Sequence, residues 1–125
     1  MTHPVRAAIE ARDVDALSEL FADDIVFNSP VAFHPYVGRG TVVEVLRNVM
    51  EVLTDFVYVD ELAGEGTHAL VFSAGVGGRA VLGLDYLRMD DDGLVTEFTV
   101  MVRPLSGLIA LAEAMGPRVA HLSTG

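Results

Sequence analysis

The chain has 125 residues, which fits one domain with one core and not two. Its formal net charge of −10, from 8 basic against 18 acidic residues, leaves no footprint for a phosphate backbone or an anionic lipid surface, so neither nucleic acid nor membrane is an expected partner. Cysteine is absent, which excludes disulfides, thiolate metal sites and cysteine nucleophiles. The start, Met1-Thr2-His3-Pro4, shows no basic stretch followed by an apolar one, and no uncharged run nears the ~18 residues of a membrane span, so a cytoplasmic protein is expected. Hydrophobic residues make up 51%, rich for a domain that must also clothe its surface; some of that surface is expected around a cavity or against a second subunit.

In chain order, Thr2 near an N-cap and Pro4 in the first turn open a short helix in which Val5, Ala8, Ile9 and Arg12 follow at helical spacing. Asp13 caps a second, whose stripe Ala16, Leu17, Leu20 and Phe21 ends at Asp23-Asp24. Ile25 to Asn28 reads as a strand. Ser29 to Gly40, with two prolines and two glycines, reads as a loop with a short strand at Tyr36-Val37. Thr41-Val42-Val43-Glu44 is a capping-box pattern before a central helix, in which Val42, Val45, Leu46, Val49, Met50 and Leu53 repeat at helical spacing.

Four strand-like runs follow: Phe56 to Leu62, Ala69 to Val76, Ala80 to Met89 and Val95 to Arg103. Gly77-Gly78 and Asp91-Asp92-Gly93 are the turn signals between the later ones, which makes a meander and not a βαβ repeat. Leu105 to Met115 reads as a closing helix stopped at Gly116-Pro117. Residues 1–117 then make a single domain, and 118–125 a loose tail. The fold class is α+β, a curved antiparallel sheet wrapped by three or four helices. The run Ala69 to Phe72 is apolar on both faces, which suits a strand covered twice and predicts a homodimer through the outer sheet face.

Several patterns look chemical and are better read as turns or scatter. Gly75-Val76-Gly77-Gly78-Arg79-Ala80 resembles a dinucleotide fingerprint, but a strand follows it where a helix N-terminus is needed. Asp90-Asp91-Asp92-Gly93 has consecutive carboxylates that cannot converge on one calcium ion. His3, His34, His68 and His121 lack metal-ligand spacing, so no metal is expected. Asp85 is the ionisable residue out of place: strand alternation sets it with Val81, Gly83, Leu87 and Met89 on an otherwise apolar face. If that face lines the interior, desolvation raises its pKa and fits it for acid/base chemistry. The other reading is a structural aspartate paired with Arg79, Arg88 or Arg103. On the last strand the same alternation turns Phe98, Val100 and Val102 inward and Glu97, Thr99 and Met101 outward.

The stretch from Ala11-Arg12-Asp13 to Asp24, the strand-turn-strand from Leu84-Asp85-Tyr86 to Phe98 and the order of elements together resemble the nuclear-transport-factor-2-like superfamily, over roughly Val5 to Arg103. That superfamily includes ketosteroid isomerases, polyketide-cyclase-like proteins and limonene epoxide hydrolases. The resemblance implies a cone whose open end admits a small apolar molecule, often in a dimer. It puts Asp85 where the isomerases keep a protonated aspartic acid for the developing oxyanion, a site that is itself a standard worked example. Their general-base aspartate corresponds to Ser29 before Pro30, and their tyrosine donor on the first helix to about Val5. The epoxide hydrolases' arginine corresponds to Gly83, and their second aspartate has no counterpart here.

Those departures disfavour both mechanisms in their standard form. The polar residues left near the expected mouth are Asn28, Ser29, His34 and Tyr36; His34 is the candidate base, with Tyr36 or Asp85 as donor, unless His34 is simply an exposed loop residue. Leu46, Met50, Phe98, Val100 and Val102 are the expected apolar ligand contacts. The function these residues point to is a cofactor-independent acid/base isomerase, cyclase or dehydratase acting on a small apolar carbonyl compound. The alternatives are a non-catalytic module that binds a hydrophobic ligand and a dimerisation module with a filled pocket.

Overall fold

The computed structural model describes residues 2–122. Its elements are α1 (Pro4–Glu10), α2 (Val14–Glu19), β1 (Phe21–Asn28), β2 (Tyr36–Val37), α3 (Arg39–Val52), β3 (Thr54–Ala63), β4 (Thr67–Val76), β5 (Arg79–Met89), β6 (Val95–Arg103) and α4 (Leu105–Val119). The strands form one curved, unclosed sheet of six in the order β2-β1-β6-β5-β4-β3. Strands β3 to β6 are an antiparallel meander, and Gly77 and Gly78 turn β4 into β5 with φ of 55° and 76°, the left-handed pair that a two-residue hairpin requires.

The sheet is mixed, where a wholly antiparallel one was expected: β1 lies parallel to β6. The chain between them, through α3 and β3 to β5, is long enough for the crossover that a parallel pair needs.

Several boundaries also differ from the sequence pattern. Phe21 starts β1 and does not end α2, and Asp23-Asp24 occupy an irregular part of that strand, where the pairing with β6 shifts register between Phe21 and Val26. Helix α3 starts at Arg39 behind Gly38, with no side-chain cap, so the capping box at Thr41 is not used. What holds that end is Arg39, which donates to the Phe21 carbonyl and pairs with Asp23 at 2.6 Å. Helix α4 runs through Gly116-Pro117 to Val119. Arg118, expected in a loose tail, donates to Glu51 and Asn48 on α3, and residues 123–125 of that tail lie outside the described ones. These contacts outweigh the single backbone hydrogen bond that a proline forfeits in a last turn.

The core lies between the helices and the inward side chains of the sheet. Phe27, Leu70, Phe72, Leu87 and Phe98 are buried from the strands, and Val5, Leu17, Val42 and Leu46 from the helices. Helix α1 is short, and a polar cluster fastens its first turn. His3, not Thr2, is its N-cap: the Nδ1 atom accepts the Val5 amide. Glu61 on β3 accepts from the His3 amide at 2.9 Å and from Arg6 at 3.0 Å, and meets His68 of β4 at 2.7 Å.

Partial burial opposes the Glu61 charge, but the hydrogen bonds from His68, the His3 amide and Arg6 outweigh it and bring its carboxyl down to about 2. Burial, and then the neighbouring His68, lower the His3 imidazole, against the pull of Glu61. Both shifts have the same consequence: the stability they contribute is complete above each group's unfolded pKa and is lost as acid titrates the folded form. Glu61→Gln is therefore expected to lower stability at pH 7 by about 1 kcal/mol, allowing for solvent screening. In thermal melts the gap should close as the pH falls from about 4.5 toward 2. Equal melting temperatures at pH 7 would show that the cluster does not hold α1.

Candidate functional site

A cavity of about 490 Å³ opens between the inner face of the sheet and helices α1, α3 and α4. Its walls are mostly apolar: Phe27, Leu46, Met50, Phe72, Phe98, Val100 and Val102 all contribute. The volume falls within the range of about 300–1,000 Å³ usual for small-molecule sites.

Asp85 stands in the β5 wall and is only 5% exposed. The strand places it there by alternation, since Val81, Gly83 and Leu87 are also buried on the same face. No arginine pairs with it. Its partner is Tyr58 of β3, whose hydroxyl donates to Oδ2 at 2.8 Å across the intervening strand β4. Burial raises the Asp85 carboxyl, the Tyr58 hydrogen bond only partly offsets this, and the result is about 7. Burial first, and then the adjacent carboxylate, drive the Tyr58 phenol far above its usual value, so Tyr58 remains a donor. Among the described residues no fully enclosed polar side-chain atom lacks a partner. Asp85 Oδ1 has no hydrogen bond to another described residue, so it must open onto the cavity.

Tyr36, on β2, also lines the cavity, is 5% exposed and packs its ring 6.5 Å from Phe27. Its hydroxyl makes no hydrogen bond to another described residue, and by the same reasoning it also faces open space. Burial raises its pKa, which keeps it protonated at neutral pH. Ser29 is in the wall, where its hydroxyl accepts the Val31 amide and stabilises the loop after β1.

Two expected site residues lie elsewhere. His34 is exposed on that loop, its ring against Phe33, and does not line the cavity: residues 29–32 of the loop and Tyr36 reach the wall, while Phe33 and His34 between them point to solvent. Asn28 faces the outer side of the sheet, where it donates to Thr99 at 2.9 Å; Phe27, one residue earlier, takes the inward position.

The sequence reading missed Tyr58, Glu10 and Arg12, all in the cavity wall. The alternation of Phe56 and Tyr58 with Val57 and Val59 carried a signal for Tyr58. Its pairing with Asp85 carried none, since a strand lies between them. Gly83, where an arginine would stand in an epoxide hydrolase, has no room for a side chain: the ring of Phe72 lies where a Cβ would be. No group of three His, Cys, Asp or Glu side chains among the described residues has metal-binding geometry.

Residues 5–103 match the SnoaL-like domain family. Among solved structures, the fold superposes with a TM-score of 0.87 on a steroid delta-isomerase from Pseudomonas aeruginosa, at 45% identity over 93% of this chain and 86% of that one. An uncharacterized bacterial protein with a cystatin-like fold from Silicibacter pomeroyi superposes at 0.89, with 29% identity over 94% of this chain and 83% of that one. An NTF2-like protein of unknown function from Cytophaga hutchinsonii shares the fold alone, at a TM-score of 0.64 and 14% identity, over 81% of this chain and 85% of that one. No curated protein matches the chain.

The contact of Phe72 with Gly83 leads to a direct test of the wall. Gly83→Ala forces the ring toward the cavity, and a loss of about 1–3 kcal/mol is expected on chemical denaturation. An unchanged midpoint would mean that Phe72 has slack the packing does not show.

Proposed function

The chain belongs to the SnoaL-like domain family, and on that premise we propose that it is a cofactor-independent acid/base enzyme acting on a small apolar carbonyl compound. The observation that carries this reading is Asp85, a carboxyl held near pKa 7 in an apolar wall, with Tyr58 on one oxygen and the cavity before the other. A base poised near the working pH transfers protons most effectively.

As a carboxylate, Asp85 takes the proton from the carbon next to the substrate carbonyl. The electron pair of that C–H bond moves into the new carbon–carbon double bond, and the carbonyl oxygen becomes an enolate. Tyr36 is the donor suited to that oxygen, because its hydroxyl has no other described partner. Tyr58 keeps Asp85 oriented and supports its charge. Return of the proton to another carbon is an isomerisation; attack of the enolate on a second carbonyl is a cyclisation, and loss of a β-hydroxyl is a dehydration.

The 45% identity to a protein named as a steroid delta-isomerase supports the first of these outcomes. Ser29, a weak base, stands where the resemblance would put the isomerases' aspartate, so here Asp85 has to serve as the base. In this account Asn28 and His34 have no part.

Proton abstraction is tested by deuterium exchange into the α-position of a bicyclic ketone such as β-tetralone, followed by NMR. Exchange should accelerate with a rate that rises through about pH 7. Asp85→Asn should slow it by about 10²-fold or more. Binding of the ketone without exchange would favour the second reading, a non-catalytic carrier, which the preponderance of apolar wall also supports.

Stability gives an independent test with a definite sign. The folded pKa of Asp85 is above its usual 3.8, so the protonated form is preferred on folding. That contribution is complete below 3.8 and is lost as the pH rises through about 7. Asp85→Asn should accordingly stabilise the protein above pH 7, by up to about 4 kcal/mol, and leave it unchanged in acid. Destabilisation at pH 8 would mean a carboxylate that the fold favours, and would remove Asp85 as the base.

The protein also acts as a homodimer through the outer sheet face in this proposal. Val57, Val59, Leu82 and Met101 are 56%, 55%, 41% and 54% exposed; on the same face Val71, Leu84 and Met101 are paired neighbours, and Ser73 stands between Val57 and Leu82. A contiguous apolar patch of this kind is uncommon on a monomer. Light scattering at tens of micromolar should return twice the chain mass; a monomer there defeats the dimer. No helix among the described residues is long and apolar enough to cross a membrane. With a cysteine-free chain, a cytoplasmic site of action fits the proposal.

A further inference from the structure

The cavity has a second polar feature that the proposed proton transfer does not use. Besides Asp85, the charged residues in its wall are Glu10 and Arg12, where α1 turns into α2. Glu10 already has a partner, Arg6 at 3.3 Å. Arg12 has none of opposite charge among the described residues. Five of the eight arginines, Arg6, Arg39, Arg47, Arg88 and Arg118, form ion pairs, and of the other three only Arg12 lines the cavity.

The backbone at Arg12 is unusual as well. Its φ is +54°, the left-handed position that ends a helix. The Asp13 amide reaches back to Ala8 at 2.9 Å and the Arg12 amide to Ile9 at 3.0 Å, the paired bonds of a Schellman turn. Glycine is the residue that fills this position without strain, so an arginine there costs about 1 kcal/mol or more. One structural return is visible: Nη1 donates to the Met50 carbonyl near the end of α3 at 2.9 Å. That bond uses one of the five N–H donors of a guanidinium. It also orients the planar group at the edge of the cavity and leaves further donors for an acceptor there.

We infer that Arg12 is a specificity residue that binds a carboxylate, or an oxoanion of like geometry, on a ligand whose apolar body fills the cavity. This rests on the proposed reading of the pocket and narrows its substrate class to apolar carbonyl compounds bearing an acidic group. A guanidinium presents paired donors that match a carboxylate, and Arg12, exposed and tied to the Met50 carbonyl, offers them at the mouth of the cavity. Arg12 does not touch the reacting carbon in this account. Asp85 performs the chemistry, and Arg12 sets which end of the ligand stays outside.

The test is calorimetric binding of two ligands with one skeleton, 4-(2-naphthyl)butanoate and its primary amide, to the full chain. The carboxylate should bind wild type about tenfold or more tightly than the amide, as a charge-assisted hydrogen bond implies. Arg12→Gln should erase that preference and leave the amide affinity unaltered, and Arg12→Lys should restore part of it. Wild type needs no variant to be informative: the preference should shrink between low salt and 0.5 M sodium chloride while amide binding holds.

Equal affinity for both ligands in wild type, or a carboxylate preference that survives Arg12→Gln, overturns the assignment of Arg12 and leaves the pocket reading standing. Failure of both ligands to bind wild type overturns the pocket reading and this assignment with it.

Discussion

Everything distinctive about this molecule depends on one buried hydrogen bond, from the Tyr58 hydroxyl to Asp85 at 2.8 Å. A carboxyl group removed from water is costly to ionise, and an apolar wall would ordinarily exclude it. A single donor lowers that cost without abolishing it, so the group is left near neutrality instead of being locked as an anion. A bidentate arginine in the same place would have made it a permanent carboxylate.

Several packing choices serve that bond. Gly83 lets the ring of Phe72 settle against β5, and Phe56 stacks on Phe72 with centroids 4.8 Å apart. Both aromatic rings lie against Tyr58 in edge contacts. The Arg6 guanidinium lies 5.6 Å from the Tyr58 ring centroid, and Glu61 holds Arg6 in turn. Helix α1 is thereby coupled to the polar centre through a cation over an aromatic face. The cluster at its N-terminus and the cavity wall at its C-terminus belong to one short element, which is why a half-buried ion pair on β3, outside the cavity, bears on the site at all.

The same helix links the Glu61 cluster to the cavity. Its far end carries the left-handed Arg12, so a segment of only seven helical residues spans from the Glu61 cluster to the cavity rim. An apolar chamber with a buried carboxyl in its wall and an exposed cation at its edge suits a ligand of mixed character. A chain with net charge −10 repels anions at long range, and under the proposed role of Arg12 a local guanidinium would provide selection at contact distance without general attraction.

Much of this was legible in the residues. Period-two alternation assigned Asp85, Phe98, Val100 and Val102 to the inner face, because a strand offers a side chain only two directions and the apolar set decides which is inside. Helical spacing placed Leu46 and Met50 in the wall for the same reason. Turn glycines located the hairpin, since left-handed backbone is a local property. What tertiary structure alone decided were the relations between elements distant in sequence. The parallel pairing of β1 with β6 depends on where the meander ends. The Tyr58–Asp85 bond crosses an intervening strand, and neither residue's neighbours encode it. Asn28 and His34 were expected at the mouth because both sit in or beside a loop near it. Pairing of Phe27 with Tyr36 turned those two inward instead, and a strand that commits one residue to the core sends the next to the opposite side. The sequence by itself determined which faces are apolar and where the chain turns, because those follow from local geometry; which polar groups meet across the interior followed only from the assembled sheet.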